Sequence, residues 1–153
     1  VTRTDAHPEL PQDPDTDTVR RTTLGALVVV AAGGAVGTAC RYGAGRALGD
    51  WRSWPVATLA VNVAGAFVLG VLVESLLRGG PDAGWRRSAR LAAGTGFCGG
   101  LTTYSSLAVE TDEILRRGLP STAIAYAAGS VVLGLLAAAG GIALASGTRP
   151  RTR

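Results

Sequence analysis

Between residues 94 and 107 the chain reads Gly94-Thr95-Gly96-Phe97-Cys98-Gly99-Gly100-Leu101-Thr102-Thr103-Tyr104-Ser105-Ser106-Leu107, four glycines followed by five consecutive hydroxyl side chains. The stretch lies inside an apolar segment over residues 91–115, whose midpoint is Thr103. Glycine weakens a helix, and Ser and Thr offer the backbone competing hydrogen-bond partners, so a helix is expected to break here. In hydrocarbon, broken backbone is tolerated only where protein buries it or where it lines a polar cavity, and carbonyls freed there can coordinate a cation. The chemistry these residues suit is the handling of an ion at mid-membrane.

Other chemistries fail on inventory. The single histidine, His7, stands in a polar tail, which excludes a His-dependent triad and a multi-histidine metal site. Cys40 and Cys98 both fall in apolar segments and read as small buried thiols, not as a disulfide framework or a zinc site. Gly94-x-Gly96-x-x-Gly99 matches the spacing of a dinucleotide fingerprint, but no strand precedes it. Read as a phosphate loop, the same string has Gly100 where the lysine is required.

The elements that must hold this stretch are apolar helices, since 47% of the 153 residues are hydrophobic and the runs are long enough to span a bilayer. Residues 1–20 form a polar tail with Pro8, Pro11 and Pro14 among five acids, expected to be disordered and without the basic start and apolar core of a signal peptide. A four-helix membrane domain is expected over residues 21–147, followed by a basic tail over 148–153. Its first span covers residues 24–42 and carries Gly33 and Gly37 at the spacing that lets another helix backbone approach. Arg41 ends that apolar run and should either snorkel to an interface or face a wet vestibule.

Trp51 and Trp54 read as interfacial aromatics before a second span over residues 55–77, opened by Pro55. Asn62 lies roughly 10 Å into that helix, where an amide needs a neighbouring helix or a hydrated pathway as partner. Glu74 reads as interfacial. The third span, residues 91–115, is closed by Arg116 and Arg117, by Gly118 as a left-handed cap and by Pro120 at the start of the next helix. The fourth covers residues 121–146 and sets Tyr126 and Ser130 one turn apart on one face. Such a chain leaves no room for a soluble catalytic domain, so any function is expected in the spans and an enzyme is not expected.

Net charge is +4, and all fifteen basic residues are arginines placed mainly in short connections. That pattern speaks of orientation in a bilayer and not of a nucleic-acid partner. With four spans, Arg41, Arg46, Arg52, Arg116 and Arg117 share one side and the other ten arginines the opposite side. The excess of positive charge then places both termini in the cytoplasm of a multi-pass protein of the cell membrane.

Three motifs carry a resemblance. Gly99-Gly100-Leu101-Thr102-Thr103-Tyr104-Ser105-Ser106-Leu107, with Asn62 in Val61-Asn62-Val63-Ala64-Gly65-Ala66-Phe67 and Gly33-Gly34-Ala35-Val36-Gly37-Thr38-Ala39-Cys40-Arg41-Tyr42, closely resembles the Fluc/CrcB fluoride channel family. The motifs occur in the expected order, and the likeness covers residues 24–146.

The resemblance implies an all-α protein of four spans, the third broken at mid-membrane, paired antiparallel in a dimer with two fluoride pathways. It implies a structural sodium ion on the dimer axis, held by backbone carbonyls at positions matching Gly99 and Thr102. It places Asn62 along the pore and maps a polar track onto Ser105, Ser106, Tyr126 and Ser130, with Thr103 as a weaker match, while Arg41 falls near a vestibule. Fluoride is small and strongly hydrated, and neutral amide and hydroxyl donors can replace its water without trapping it.

Two features depart from the family. Tyr104 and Leu107 stand where two phenylalanines present their ring edges to fluoride. Tyrosine keeps an electropositive edge and leucine has none. The arginine bias of ten to five is also one-sided for a subunit that inserts in both orientations. Together they raise an oppositely oriented homologous partner that supplies the missing phenylalanine, or a non-conducting subunit. A small multidrug exporter, also built from four short antiparallel helices, normally needs a membrane carboxylate, and none occurs in the first span as far as Cys40.

Overall fold

A computed structural model describes residues 16–48 and 54–147, with side chains from Thr23 onward. The tail over residues 1–15, the C-terminal tail and Trp51 lie outside the described residues. The regular elements are helices: α1 (Thr16–Leu48), α2 (Val56–Arg78), α3 (Trp85–Ala89), a π-helical segment (Arg90–Cys98), α4 (Gly99–Leu101), α5 (Tyr104–Arg116) and α6 (Pro120–Gly147). Helix α1 takes in the last five residues of the stretch read as tail and ends six residues past the expected span.

Among the described residues three helices are long and apolar enough to cross a membrane: Thr23–Leu48, Val56–Arg78 and Pro120–Gly147. Their outward faces carry Val28, Leu135 and Leu136, each more than 60% exposed, as lipid-facing side chains are. The expected span over residues 91–115 is not one helix. Helix α3 runs through the π segment into α4, the path is interrupted at Thr102 and Thr103, and α5 follows. Helix α5 alone, at 13 residues, is about 20 Å long and carries Glu110, Asp112 and Glu113.

Glycine sets how the helices meet. A Cβ on Gly37 would run into the Phe97 carbonyl and reach 2.8 Å from the Leu101 nitrogen, so α1 lies backbone to backbone on the π segment and α4. Gly33 meets Ala92 in the same way. The spacing read from the sequence is therefore used inside the chain. Chain reversal before α6 follows the sequence closely: Gly118 has φ +76°, its N–H donates to Leu115 O at 2.9 Å, and Leu119 N–H reaches Ile114 O at 3.3 Å.

Helix α1 continues past Arg41 to Leu48, and the Arg41 guanidinium donates to Thr102 O. One expectation is corrected. Cys98 is buried, but Cys40 is exposed. In the connection before α3, Arg90 pairs with Asp82 at 2.7 Å and holds that carboxyl below the usual carboxylate range. The folded-state value is the lower one, so this pair is intact above the ordinary carboxylate range and is lost as pH falls through the lowered value. Glu74 pairs with Arg78 and accepts from Ser146 Oγ at 2.9 Å, joining the ends of α2 and α6.

Candidate functional site

The interruption is built by threonine. Thr102 N–H and Oγ1 both donate to Cys98 O, at 2.9 and 2.8 Å, and end the helix. Thr102 (φ −82°, ψ 156°) and Thr103 (φ −150°, ψ 123°) are extended. Thr103 then caps α5, its Oγ1 accepting from Ser106 N–H at 3.1 Å. Extended backbone beside helices needs partners, and Asn62 of α2 supplies them: Thr103 N–H donates to Asn62 Oδ1 at 2.8 Å and Asn62 Nδ2 donates to Thr103 O at 3.0 Å. The amide thereby braces the interruption, the neighbouring-backbone partner being one of the two alternatives open to it.

Hydroxyls cluster at the same point. Thr103 Oγ1 lies 3.1 Å from Ser105 Oγ and 3.2 Å from Ser106 Oγ. From α1, Arg41 Nη1 donates to Thr102 O at 3.4 Å and Thr38 Oγ1 to Gly100 O at 3.5 Å. A groove of about 270 Å³ is lined by Thr38, Arg41, Tyr42, Thr58, Val61 and Ser106. A second groove, about 410 Å³, is lined by Ser105, Ser106, Glu110, Glu113, Arg117 and Pro55 among others. Ser106 lines both.

Between the grooves stands a carboxylate that the motif reading passed over. Glu110 Oε1 accepts from Thr58 Oγ1 and Oε2 from Tyr126 Oη, each at 2.6 Å. The signal was present in the sequence: an acid one turn after Ser106 in a span is a functional position by default. Tyr126 is 1% exposed, and its ring meets Trp54 edge to face with centroids 6.1 Å apart. Replacing Tyr126 by phenylalanine keeps that packing and removes a buried donor from Glu110. A loss of about 1–3 kcal/mol is expected, read as a lowered thermal unfolding midpoint in detergent beside the parent chain.

The remaining residues separate. Ser130 is buried and its hydroxyl donates to Tyr126 O at 2.7 Å along its own helix. Leu107 packs against the cluster of Ile114, Ala123 and Tyr126, on the inner side of α5. Tyr104 faces outward and is 82% exposed, and Ser105 is exposed beside it. Gly99 is exposed with open space at its Cβ position.

Long apolar helices around an interrupted one, with amide, hydroxyl, guanidinium and carboxylate groups gathered at the interruption, define a multi-pass helical membrane protein with a polar site inside its bilayer-spanning body. Residues 28–142 match the family described as CrcB-like protein, Camphor Resistance (CrcB), and the chain belongs to that family. It is 47% identical over 118 residues to the fluoride-specific ion channel FluC 2 of Leifsonia xyli subsp. xyli, across 77% of this chain and 81% of that protein. It is 48% identical over 122 residues to the FluC 2 of Rhodococcus jostii, across 78% and 98% of the two chains. With the fluoride-specific ion channel FluC of Methanopyrus kandleri it shares 43% over 122 residues, across 78% and 88%.

Proposed function

We propose that this chain is a subunit of a fluoride-selective channel through which fluoride leaves the cytoplasm passively, giving fluoride resistance. The observation that carries the reading is the cluster at Thr103, where Asn62, Ser105 and Ser106 present neutral donors beside a break in the helix, in a chain belonging to the CrcB-like family. Fluoride gives up hydration only where donors replace it, and an amide with hydroxyls does so with little trapping. Arg41 and the mouth at Thr58 and Ser106 supply a positive approach to that row.

In this proposal α3, the π segment, α4 and α5 together make the third of four crossings, and two subunits pair antiparallel in the cell membrane. Both termini lie in the cytoplasm on the arginine count. A structural sodium ion at the dimer axis fits the backbone here. Thr103 N–H has turned to Asn62, so Gly99 O has lost its helical donor, and Thr102 O accepts only the long bond from Arg41 among the described residues. A carbonyl oxygen has a second lone pair for a cation. Hard cations take several oxygens, and two carbonyls from one chain are too few, which supports a second copy completing the set. When bound, the ion supplies a fixed positive field beside the pathway and ties the broken helices.

Leu107 favours a second reading, a half-conducting or non-conducting subunit working with a homologous partner, because its side chain packs inward and offers no ring edge. The test is fluoride efflux from liposomes holding the purified chain alone, read by a fluoride electrode with chloride as control. Rapid, fluoride-selective efflux supports the channel and ends the need for a partner. No flux from folded chain, restored by a homologous subunit, supports the mixed dimer, and no flux in either case overturns the channel reading.

A further inference from the structure

At the opposite end of the bundle from Arg41, where α2 closes at Arg78 and α3 begins, lies a cavity of about 300 Å³ that the fluoride reading does not use. Ser75, Arg78, Gly79, Trp85 and Arg86 line it. The acids nearby are already engaged: Glu74 with Arg78, and Asp82 with Arg90. The Arg86 side chain has neither an ion pair nor a hydrogen bond among the described residues, and its Nη1 is buried without an acceptor. The guanidinium is held in place all the same, 5.5 Å from the centre of the Trp85 ring and over Gly79, where a Cβ would press on it.

An immobilised guanidinium with an unpaired buried nitrogen is costly alone and becomes favourable when an oxyanion completes its fork. Its planar donors match phosphate in two-point contact, which a lysine ammonium does not. The surroundings say where that phosphate comes from. Trp85, which lines the cavity, is 71% exposed, and Leu77, 72% exposed, lines the adjoining groove that shares Arg86, so an aromatic and an apolar side chain flank the guanidinium at the ends of membrane-long helices. Soluble anions do not need those neighbours, and acyl chains do.

We propose that this cavity binds the phosphate of an anionic phospholipid, with Arg86 as the principal contact, Ser75 and Arg78 beside the headgroup, and Trp85 and Leu77 against its chains. The site does not depend on the fluoride reading, and binding is measured without flux.

The experiment uses the full chain in neutral detergent, with phosphatidylglycerol or phosphatidylcholine added and retained lipid counted by native mass spectrometry beside the thermal midpoint. Phosphatidylglycerol is expected to bind and raise the midpoint, and phosphatidylcholine to do neither. Arg86→Gln should weaken phosphatidylglycerol binding about tenfold, as loss of a charge-assisted pair does. Arg86→Lys should recover only part of it, and Arg116→Gln at the far end should leave it unchanged. Gly79→Ala, which pushes the guanidinium aside, should weaken binding with the arginine still present. Equal binding by the parent chain and Arg86→Gln, or equal binding of the two lipids, overturns the proposal. An Arg86-dependent rise in midpoint with millimolar inorganic phosphate, and none with phosphatidylglycerol, overturns the lipid assignment in favour of a free anion.

Discussion

Replacing Gly37 with alanine is expected to cost the fold heavily, as the same change at Gly33 would. The added Cβ meets Phe97 O and the Leu101 nitrogen, both backbone atoms that no rotamer can move. Overpacking in a close-packed interior typically costs about 1–3 kcal/mol, and a rigid neighbour puts this site at the upper end. Because Phe97 and Leu101 lead directly into Thr102, pushing α1 away also displaces the interruption that the polar site is built on. Gly134→Ala and Gly140→Ala are the controls. A Cβ at either meets nothing within 4 Å, and alanine in a helix interior is favoured by about 0.5–1 kcal/mol. The measurement is the recovery of folded protein by size exclusion and its thermal midpoint. Gly37→Ala behaving like the two controls would show that α1 is not held backbone to backbone.

Asn62→Ala is expected to lower both stability and fluoride flux. Thr103 is 8% exposed, and without the amide its N–H and C=O each lose their partner. Each such loss costs about 1–3 kcal/mol. A misplaced cluster of Thr103, Ser105 and Ser106 then raises the barrier for a passing ion, and every 1.4 kcal/mol is about tenfold in rate. Flux is expected to fall at least about tenfold, with a lower thermal midpoint, while Val63→Ala on the same helix leaves flux largely intact. The paired readout separates the two roles this amide can have. Lost flux with an unchanged midpoint would make Asn62 a donor to the ion alone; a lowered midpoint with full flux would make it a brace alone.

The neighbouring carboxylate bears on how these results are interpreted. Glu110 sits between Thr58 and Tyr126 and next to Ser106, so it ties α2, α5 and α6 together at the wide groove. A negative group there repels an anion, and its two short hydrogen bonds draw charge away from the groove. Tyr126 and Ser130, matched by resemblance to a polar track, are buried in one chain and committed to Glu110 and to the backbone. In the single chain the Tyr126 hydroxyl holds the Glu110 carboxylate and the Ser130 hydroxyl bonds its own helix, whereas Ser105 and Ser106 line the wide groove.

By itself the sequence determined the features whose causes are local. Gly118 before Pro120 fixed the reversal into α6, because a left-handed cap and a proline start are properties of those residues. Glycine followed by hydroxyls located the interruption to within a residue of Thr103, because that composition weakens a helix wherever it stands. Gly33 and Gly37 announced a close helix contact, without saying with what.

What tertiary structure decided was the partners, and these lie far along the chain. Asn62 and Thr103 are 41 residues apart, Thr58 and Glu110 52, Arg41 and Thr102 61. Spacing that distant leaves no periodic trace, so the partner of Arg41 was not legible and Glu110 went unmarked, although Glu110 takes partners from two other helices. The π-helical winding over Arg90–Cys98 was equally silent; it lies against the α1 backbone, where Gly96 meets Val30 and Gly33. Local propensity can say where a backbone gives way. Which side chain takes up the freed groups is settled only by packing, because a buried polar group must find its partner wherever the fold has put one.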